Sequence, residues 1–245
     1  MAATYVGVGA FLNSTAGGNV AWPATVNRGD MAVMWVINKH PPNGPSTPSG
    51  WTLGLQQSGG AGASAADLGL LYCTTFWKIT SGSEGGGTQA ITITSGNSSI
   101  AFISVFRSGK GGWMNPWFTG GADNTGGSTT VTITGSENIF ITTGDYVYAV
   151  AGLNTDAFTL PSAQIAATGA TLSNAGANNT TTGLGNDCML CLRRYDCTAG
   201  VSSAAPVFTL TMSGSGTDVP TGPGIIVRLR DCPLQQVDMM GAGYL

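Results

Sequence analysis

Short apolar stretches recur along the chain at intervals of about ten to twenty residues, and most are bounded by Gly, Asn, Ser or Pro. Several alternate apolar and polar residues, as Val131 and Ile133 do with the threonines that follow them. This period of two is typical of a strand with one face in a core. The pattern predicts about eleven strands, at 5–12, 31–39, 68–78, 89–94, 99–107, 129–134, 139–142, 146–153, 188–195, 207–212 and 224–230.

The arrangement of these strands predicts an all-β fold, an antiparallel β-sandwich of the jelly-roll type with long Gly/Asn-rich loops. The stretch 31–37 is apolar at every position, so we expect a central strand covered on both faces. We find no convincing internal repeat and no break in composition that would mark a linker. One domain is therefore expected over 1–232, followed by a C-terminal tail at 233–245 that contacts partners.

Three long segments lack a strand pattern and are expected to be loops, at 41–49, 109–127 and 157–187. Loops of this length are uncommon unless they bind something or belong to an interface. These segments are accordingly where function is to be sought.

Composition narrows the classes of function. Charged residues make up only 9% of the chain, there are 38 glycines, and the formal net charge is −3. Scattered basic residues and an acidic balance argue against nucleic acid as a partner, and no apolar run is long enough for a membrane helix. A surface poor in charge is tolerated best in a protein that is permanently assembled with others.

One series of motifs resembles a known family. Gly29-Asp30 opens an apolar strand, and the residues Pro48, Gly50, Trp51 and Thr52, then Trp77-Lys78, and then Gly82 and Glu84 follow in order. This order, GD, PxGWT, aromatic-Lys and GxE, is similar to that of structural β-sandwich proteins of bacteriophage virions, of the tail or decoration type. The resemblance covers about residues 20–110, with a weaker echo at 144–145 and 224–230. It implies a virion protein, made in the host cytoplasm, that lacks a catalytic signature.

The tryptophans among these motifs are also interpreted physically. Gly50 permits a tight turn that folds the Trp51 indole back onto the sheets, so Trp35, Trp51 and Trp77 are expected in the core. The alternative for Trp51 is stacking on a ligand. Glu84 is expected to be a turn residue or the partner of Lys78.

Candidate catalytic and metal-binding residues are few, and we expect neither a catalytic site, nor a metal, nor a cofactor. His40 is the single histidine and lies in no nucleophile motif. The carboxylates lie at expected turns without a pairing that a glycosidase would need. The cluster of Cys188, Cys191 and Cys197, with Cys232 further on, suggests a zinc site or a disulfide. Because Cys188 and Cys191 are three apart on an expected strand, they point to opposite faces, so we expect all five cysteines, Cys73 included, to be reduced and this cluster to consist of buried free thiols.

The segment 111–118 concentrates bulky apolar residues within a glycine-rich stretch. Strand alternation cannot turn all of them inward, so the segment either folds over a core edge or docks on a partner. The C-terminal tail adds a second group of apolar side chains. The expected interface residues are Trp113, Met114, Trp117, Phe118, Met239, Met240, Tyr244 and Leu245.

Three functions remain open from the sequence. A capsid decoration or cement protein, packing on the major capsid protein as a homo-oligomer and preferably a trimer, suits a compact domain without heptads or a repetitive shaft. A minor tail, baseplate or fibre-associated protein has the same physical requirements. A carbohydrate-binding module for host adhesion is the third, because loop aromatics can stack on sugar rings.

Overall fold

The computed structural model describes residues 3–14, 17–39, 44–60, 70–93, 98–125, 129–154, 159–181, 188–213 and 221–233. These ranges contain strands and no helix, so nothing in them could cross a membrane as a helix. The all-β class predicted from the sequence is confirmed. The strands are β1 (Thr4–Val8), β2 (Leu12–Ser14), β3 (Gly18–Ala21), β4 (Met31–Lys39), β5 (Thr52–Gly59), β6 (Leu71–Ile79), β7 (Thr88–Ile91), β8 (Ser98–Arg107), β9 (Gly111–Trp113), β10 (Trp117–Asp123), β11 (Thr130–Thr134), β12 (Ile141–Thr142), β13 (Tyr146–Leu153), β14 (Thr159–Ala166), β15 (Ala170–Thr181), β16 (Met189–Ser202), β17 (Val207–Ser213), β18 (Gly222–Leu229) and β19 (Asp231–Pro233).

The strands form an antiparallel sandwich of four layers. Two large sheets lie in the middle, one in the order β1-β8-β4-β6-β5 with β2 beside β8, and one in the order β10-β18-β13-β16-β12 with β15 beside β16. We call them sheet 1 and sheet 2. A central core fills the space between them. The small sheet β3–β7 covers the outer face of sheet 1, and the sheet β11-β17-β14 covers that of sheet 2, each over an outer core.

Strand β4 shows most clearly how an apolar sequence determines the position of a strand in the sheet. It pairs with β6 on one side and β8 on the other, and all nine of its residues are buried. Trp35 points into the central core, where its ring meets that of Tyr148 edge-on at 5.0 Å, while Met34 points into the outer core. A strand apolar on both faces is stable only with a layer on each side. The expectation of a covered central strand is therefore confirmed.

The two halves of the chain repeat one topology. Strands β1, β3, β4, β5, β6, β7 and β8 of the first half correspond in order to β10, β11, β13, β15, β16, β17 and β18 of the second. The pairings match as well: β4 lies between β6 and β8 as β13 lies between β16 and β18, and β3 pairs with β7 as β11 does with β17. No internal repeat is convincing in the sequence, and the correspondence emerges only from the pairing of the strands. The repeat is carried by backbone pairing, and the side chains of the two halves differ.

One buried ion pair recurs at the same place in both halves. Asp30 precedes β4, and both of its carboxylate oxygens accept hydrogen bonds at 2.9 Å from Arg107 at the end of β8. Asp145 precedes β13 and binds Arg230, which follows β18, in the same bidentate way at 2.6 Å. Each aspartate is only 2% exposed. A buried carboxylate is stable only when it is paired and hydrogen-bonded, and the two-point geometry supplies both.

The same aspartates also shape the turn that leads into each central strand. The carboxylate of Asp30 accepts from the Asn27 amide at 2.8 Å, and that of Asp145 accepts from the Thr142 amide at the same distance. The backbone amide of Asp30 donates to Asn27, and that of Asp145 donates to Thr142. Each aspartate thus joins a turn, the start of a central strand and the end of its neighbour.

The structure differs from the sequence-based picture in its number of strands. Nineteen strands lie in the described ranges, against the eleven expected, and the expected strand 5–12 is divided into β1 and β2. Two of the expected long loops contain strands: β9 and β10 lie in 109–127, and β14 and β15 lie in 157–187. These strands are rich in Gly, Asn, Thr and Ala, and much of β15 is exposed, so backbone pairing defines them without an apolar pattern.

Replacing Asp30 or Asp145 by Ala should destabilise the protein by about 2 to 4 kcal/mol, because a guanidinium group and a turn amide both lose the buried carboxylate that they share. Chemical denaturation of each variant measures the loss. Leu53→Ala is the control: it shortens a side chain that is 47% exposed and takes part in no ion pair, and it should cost less than about 1 kcal/mol. Equal losses in all three variants would contradict a special role for the buried pairs.

Candidate functional site

The aromatic segment 111–118 is divided between core and surface. Trp113 lies in β9, is buried in the central core, and donates from Nε1 to the Gly29 carbonyl at 3.2 Å. Phe118 packs against the same core and fits against Gly54, where a Cβ atom would come within 2.6 Å of the ring. Met114 is half-buried, and Trp117 is 43% exposed. Of the expected interface residues in this segment, Trp117 alone presents a large ring to solvent.

The other expected interface residues belong to the C-terminal tail. Met239, Met240, Tyr244 and Leu245 lie outside the described residues, as does His40. The described chain ends with β19, which pairs with β9 and thereby joins the end of the second half to the segment between the halves.

The motif residues Trp51, Lys78 and Glu84 form one cluster on the outer face of sheet 1. The Trp51 ring is buried against the Trp22 ring at a centroid distance of 5.5 Å, and its Nε1 donates to Gln89 at 2.9 Å. The Lys78 ammonium lies 5.6 Å and 5.9 Å from the two ring centroids. Stacking of rings under a cation stabilises such a cluster. Trp51 and Trp35 are therefore core residues as expected, and Trp77 is partly buried against the central core.

Glu84 completes this cluster as the ion-pair partner of Lys78, at 3.0 Å. Its carboxylate also accepts from the backbone amides of Ser81 and Gly82 at 3.0 Å and 2.9 Å. Burial acts to raise the pKa of Glu84, but the hydrogen bonds from Ser81 and Lys78 outweigh it and lower the pKa to about 2. The carboxylate is thus held ionised as part of the turn, in agreement with the structural interpretation of this residue.

The five cysteines are buried free thiols, as predicted. Cys188 belongs to the central core and Cys191 to the outer core, so the two side chains lie on opposite sides of sheet 2. Burial raises the pKa of Cys191 to about 12, which leaves a neutral thiol at physiological pH. Within the described residues, no three His, Cys, Asp or Glu side chains converge as a metal site requires.

Two exposed aromatic rings lie beside the end of β18, each next to an arginine. Trp117 and Arg228 are cross-strand partners on β10 and β18, and the guanidinium carbon lies 5.7 Å from the ring centroid. Phe140, which is 45% exposed, lies 5.6 Å from the guanidinium carbon of Arg230. We call Trp117, Phe140, Arg228 and Arg230 the aromatic–arginine patch. Guanidinium groups held against their rings fix the orientation of both aromatic side chains.

The charges of this patch are only partly balanced. Arg230 is paired with Asp145, but Arg228 makes no ion pair within the described part of the chain, although it is only 4% exposed. Its Nη1 donates to the Phe140 carbonyl at 3.2 Å, and its Nε has no partner among the described residues. Burial, and after it the charge of Arg230, lowers the pKa of Arg228. One carboxylate therefore serves two guanidinium groups.

Sequence reasoning found Trp117 but missed its companions. The alternation of 139–142 does place Phe140 opposite the apolar Ile139 and Ile141, which is a signal of exposure. The approach of Arg228 to Trp117 depends on the register between β10 and β18, and β10 itself was expected to be a loop. Only the paired sheet brings these side chains together.

Comparisons with known proteins add no relative. The chain matches no protein-family model, and it has no significant match among curated proteins or among solved structures.

Truncating Trp51 tests the tryptophan cluster. Trp51→Ala should destabilise the fold by about 3 to 5 kcal/mol, because it empties a buried aromatic site and leaves Gln89 without its donor. Thermal and urea unfolding of the purified variant measure the change. An unchanged melting temperature would show that Trp51 is not a core residue.

The lowered pKa of Glu84 predicts a dependence of stability on pH. A carboxyl group whose pKa is lower in the folded state stabilises the fold above its unfolded value of 4.5 and loses that contribution as the pH falls towards about 2. The free energy of unfolding of the wild type should therefore exceed that of Glu84→Gln at pH 7, and the difference should vanish across this interval. Urea titrations at a series of pH values measure it. A difference that persists at pH 2 would contradict the assignment.

Proposed function

We propose that the chain is a non-enzymatic structural protein of a bacteriophage virion, with capsid decoration as its role in the particle. The observation that carries this proposal is that the motif residues form contacts that stabilise the fold. Asp30 binds Arg107, and Trp51, Lys78 and Glu84 form the tryptophan cluster. The motifs that resemble phage virion proteins thus maintain a scaffold, which favours a structural role.

The surface and the layers support the same proposal. Only 9% of the residues are charged, so much of the solvent-facing area consists of Ser, Thr, Asn and Gly. Such a surface is suited to permanent assembly, where many small polar and apolar contacts act together. Four packed layers with three cores give a rigid unit, which keeps the entropic cost of joining a lattice low.

Decoration is preferred to a fibre role because the sequence has neither heptads nor a periodic shaft. A minor tail or baseplate protein is the alternative, since it needs the same compact scaffold. The two roles differ in copy number: decoration of a lattice requires many copies, arranged here as trimers, whereas a tail component is present in a few.

Quantifying the protein in purified particles of the encoding phage tests this proposal. Gel densitometry and mass spectrometry should find it at a copy number comparable with that of the major capsid protein, on the order of hundreds per particle, as a closed surface lattice requires. A small number in multiples of three or six would replace decoration by the tail alternative. Absence from gradient-purified particles would overturn the virion assignment itself.

A further inference from the structure

The internal duplication provides a reference for the aromatic–arginine patch. Because Asp30 corresponds to Asp145, the first residues of β4 and β13 correspond, and so do their partners Phe106 and Leu229. The position before each partner is Val105 in the first half and Arg228 in the second.

The edge strands and turns extend this correspondence to the two aromatic residues. Val105 pairs with Gly7 on β1, whereas Arg228 pairs with Trp117 on β10. Asn27 and Thr142 occupy the same place in their turns, so Thr25, two residues before Asn27, corresponds to Phe140. The residues Val105, Gly7 and Thr25 are thus replaced by Arg228, Trp117 and Phe140.

Folding of the scaffold does not require Arg228, Trp117 and Phe140 at these three positions. In the first half, Val105 is fully buried in the outer core, and Gly7 lies against Pro23, which would meet an added Cβ at 3.7 Å. The same backbone therefore forms with a valine in place of the arginine. A buried guanidinium without a carboxylate is costly, and large exposed rings gain little from folding. The three substitutions converge on one surface, which indicates selection for binding.

The chemistry of the patch indicates its ligand. Flat rings that are nearly half exposed, and held in place from behind, can stack on the C–H face of a sugar ring. The guanidinium of Arg228, which makes no ion pair within the described residues, leaves a positive charge behind the rings and so favours a ligand that carries a carboxylate. Arg230 retains 21% exposure of its side chain, and its hydrogen bonds to described residues use Nε and Nη2, so within that part of the chain Nη1 is left as a donor.

We propose that the aromatic–arginine patch binds a saccharide bearing carboxylate groups, such as a uronic-acid polymer. Trp117 and Phe140 stack on its sugar rings, and Arg230, supported by the positive charge of Arg228 behind the rings, selects its carboxylate. The inference does not depend on the virion assignment, because it rests on the difference between the halves and holds for any particle or free protein that carries this surface.

Titration calorimetry with the full chain tests the proposal. Galacturonic-acid oligomers are the probe. Galactose oligomers, which are neutral, test the need for the carboxylate, and polyglutamate, which is anionic but has no sugar rings, tests the need for the sugar. The galacturonate oligomers should bind with a Kd of about 1 mM or tighter, and more weakly as salt is raised. If the galacturonate oligomers show no detectable binding, the proposal is wrong. Equal binding of polyglutamate, which would show attraction by charge alone, overturns it as well.

Substitutions taken from the first half give variants that the scaffold should tolerate. Trp117→Gly and Phe140→Thr should each weaken binding of galacturonate oligomers at least tenfold. Arg228→Val should retain the melting temperature and abolish the preference for galacturonate over galactose oligomers. Leu70→Ala, which removes an exposed side chain next to Leu71, the partner of Lys39 at the far end of β4, is the control and should bind as the wild type does.

A second variant of Trp117, and the incorporation of the patch variants into particles, complete the test. Trp117→Leu keeps apolar bulk but removes the flat ring, and so replaces Trp117→Gly if the glycine variant unfolds. Its failure to weaken binding would overturn the stacking role. If the patch variants bind galacturonate oligomers normally but are lost from particles, the patch is a contact between proteins and the proposal is wrong.

Discussion

Each half of this protein depends on a buried aspartate held by an arginine from a neighbouring strand. Asp30 and Asp145 accept from a turn amide and from the Nε and Nη2 of a guanidinium group, so each fixes the start of a central strand. Because the carboxylate is buried, loss of its arginine leaves an unpaired charge inside the protein, which destabilises the fold. This explains why the Gly-Asp turn and the distant arginine occur twice, although the surrounding side chains differ.

The four-layer arrangement follows from having two such units face each other. Each central strand is apolar on both sides, so neither sheet can leave a face in water. The central core covers the inner faces, and the small sheets β3–β7 and β11-β17-β14 cover the outer ones. The cores tolerate different residues because apolar packing is nondirectional, whereas the bidentate pairs are not interchangeable.

The same duplication separates the residues that stabilise the scaffold from those of the proposed binding surface. Trp51, Lys78 and Glu84 stabilise the outer face of the first half, and the proposed virion role rests in part on their motifs. The corresponding scaffold in the second half carries Trp117, Phe140 and Arg228 at a surface where the first half has small or aliphatic residues. A scaffold that is stabilised by its cores and ion pairs can tolerate surface residues that lower its stability. Binding sites are expected at such surfaces.

The sequence by itself determined the strand class, the covered position of β4, the burial of Trp35 and Trp51, and the opposite orientation of Cys188 and Cys191. These follow from local alternation and from the cost of exposing apolar side chains. The tertiary structure decided the number of layers, the duplication, and which aromatics of 111–118 reach solvent. Those properties depend on hydrogen-bond register between strands distant in sequence, and backbone hydrogen bonds form equally well with Gly, Asn or Thr as with the apolar residues that a pattern detects.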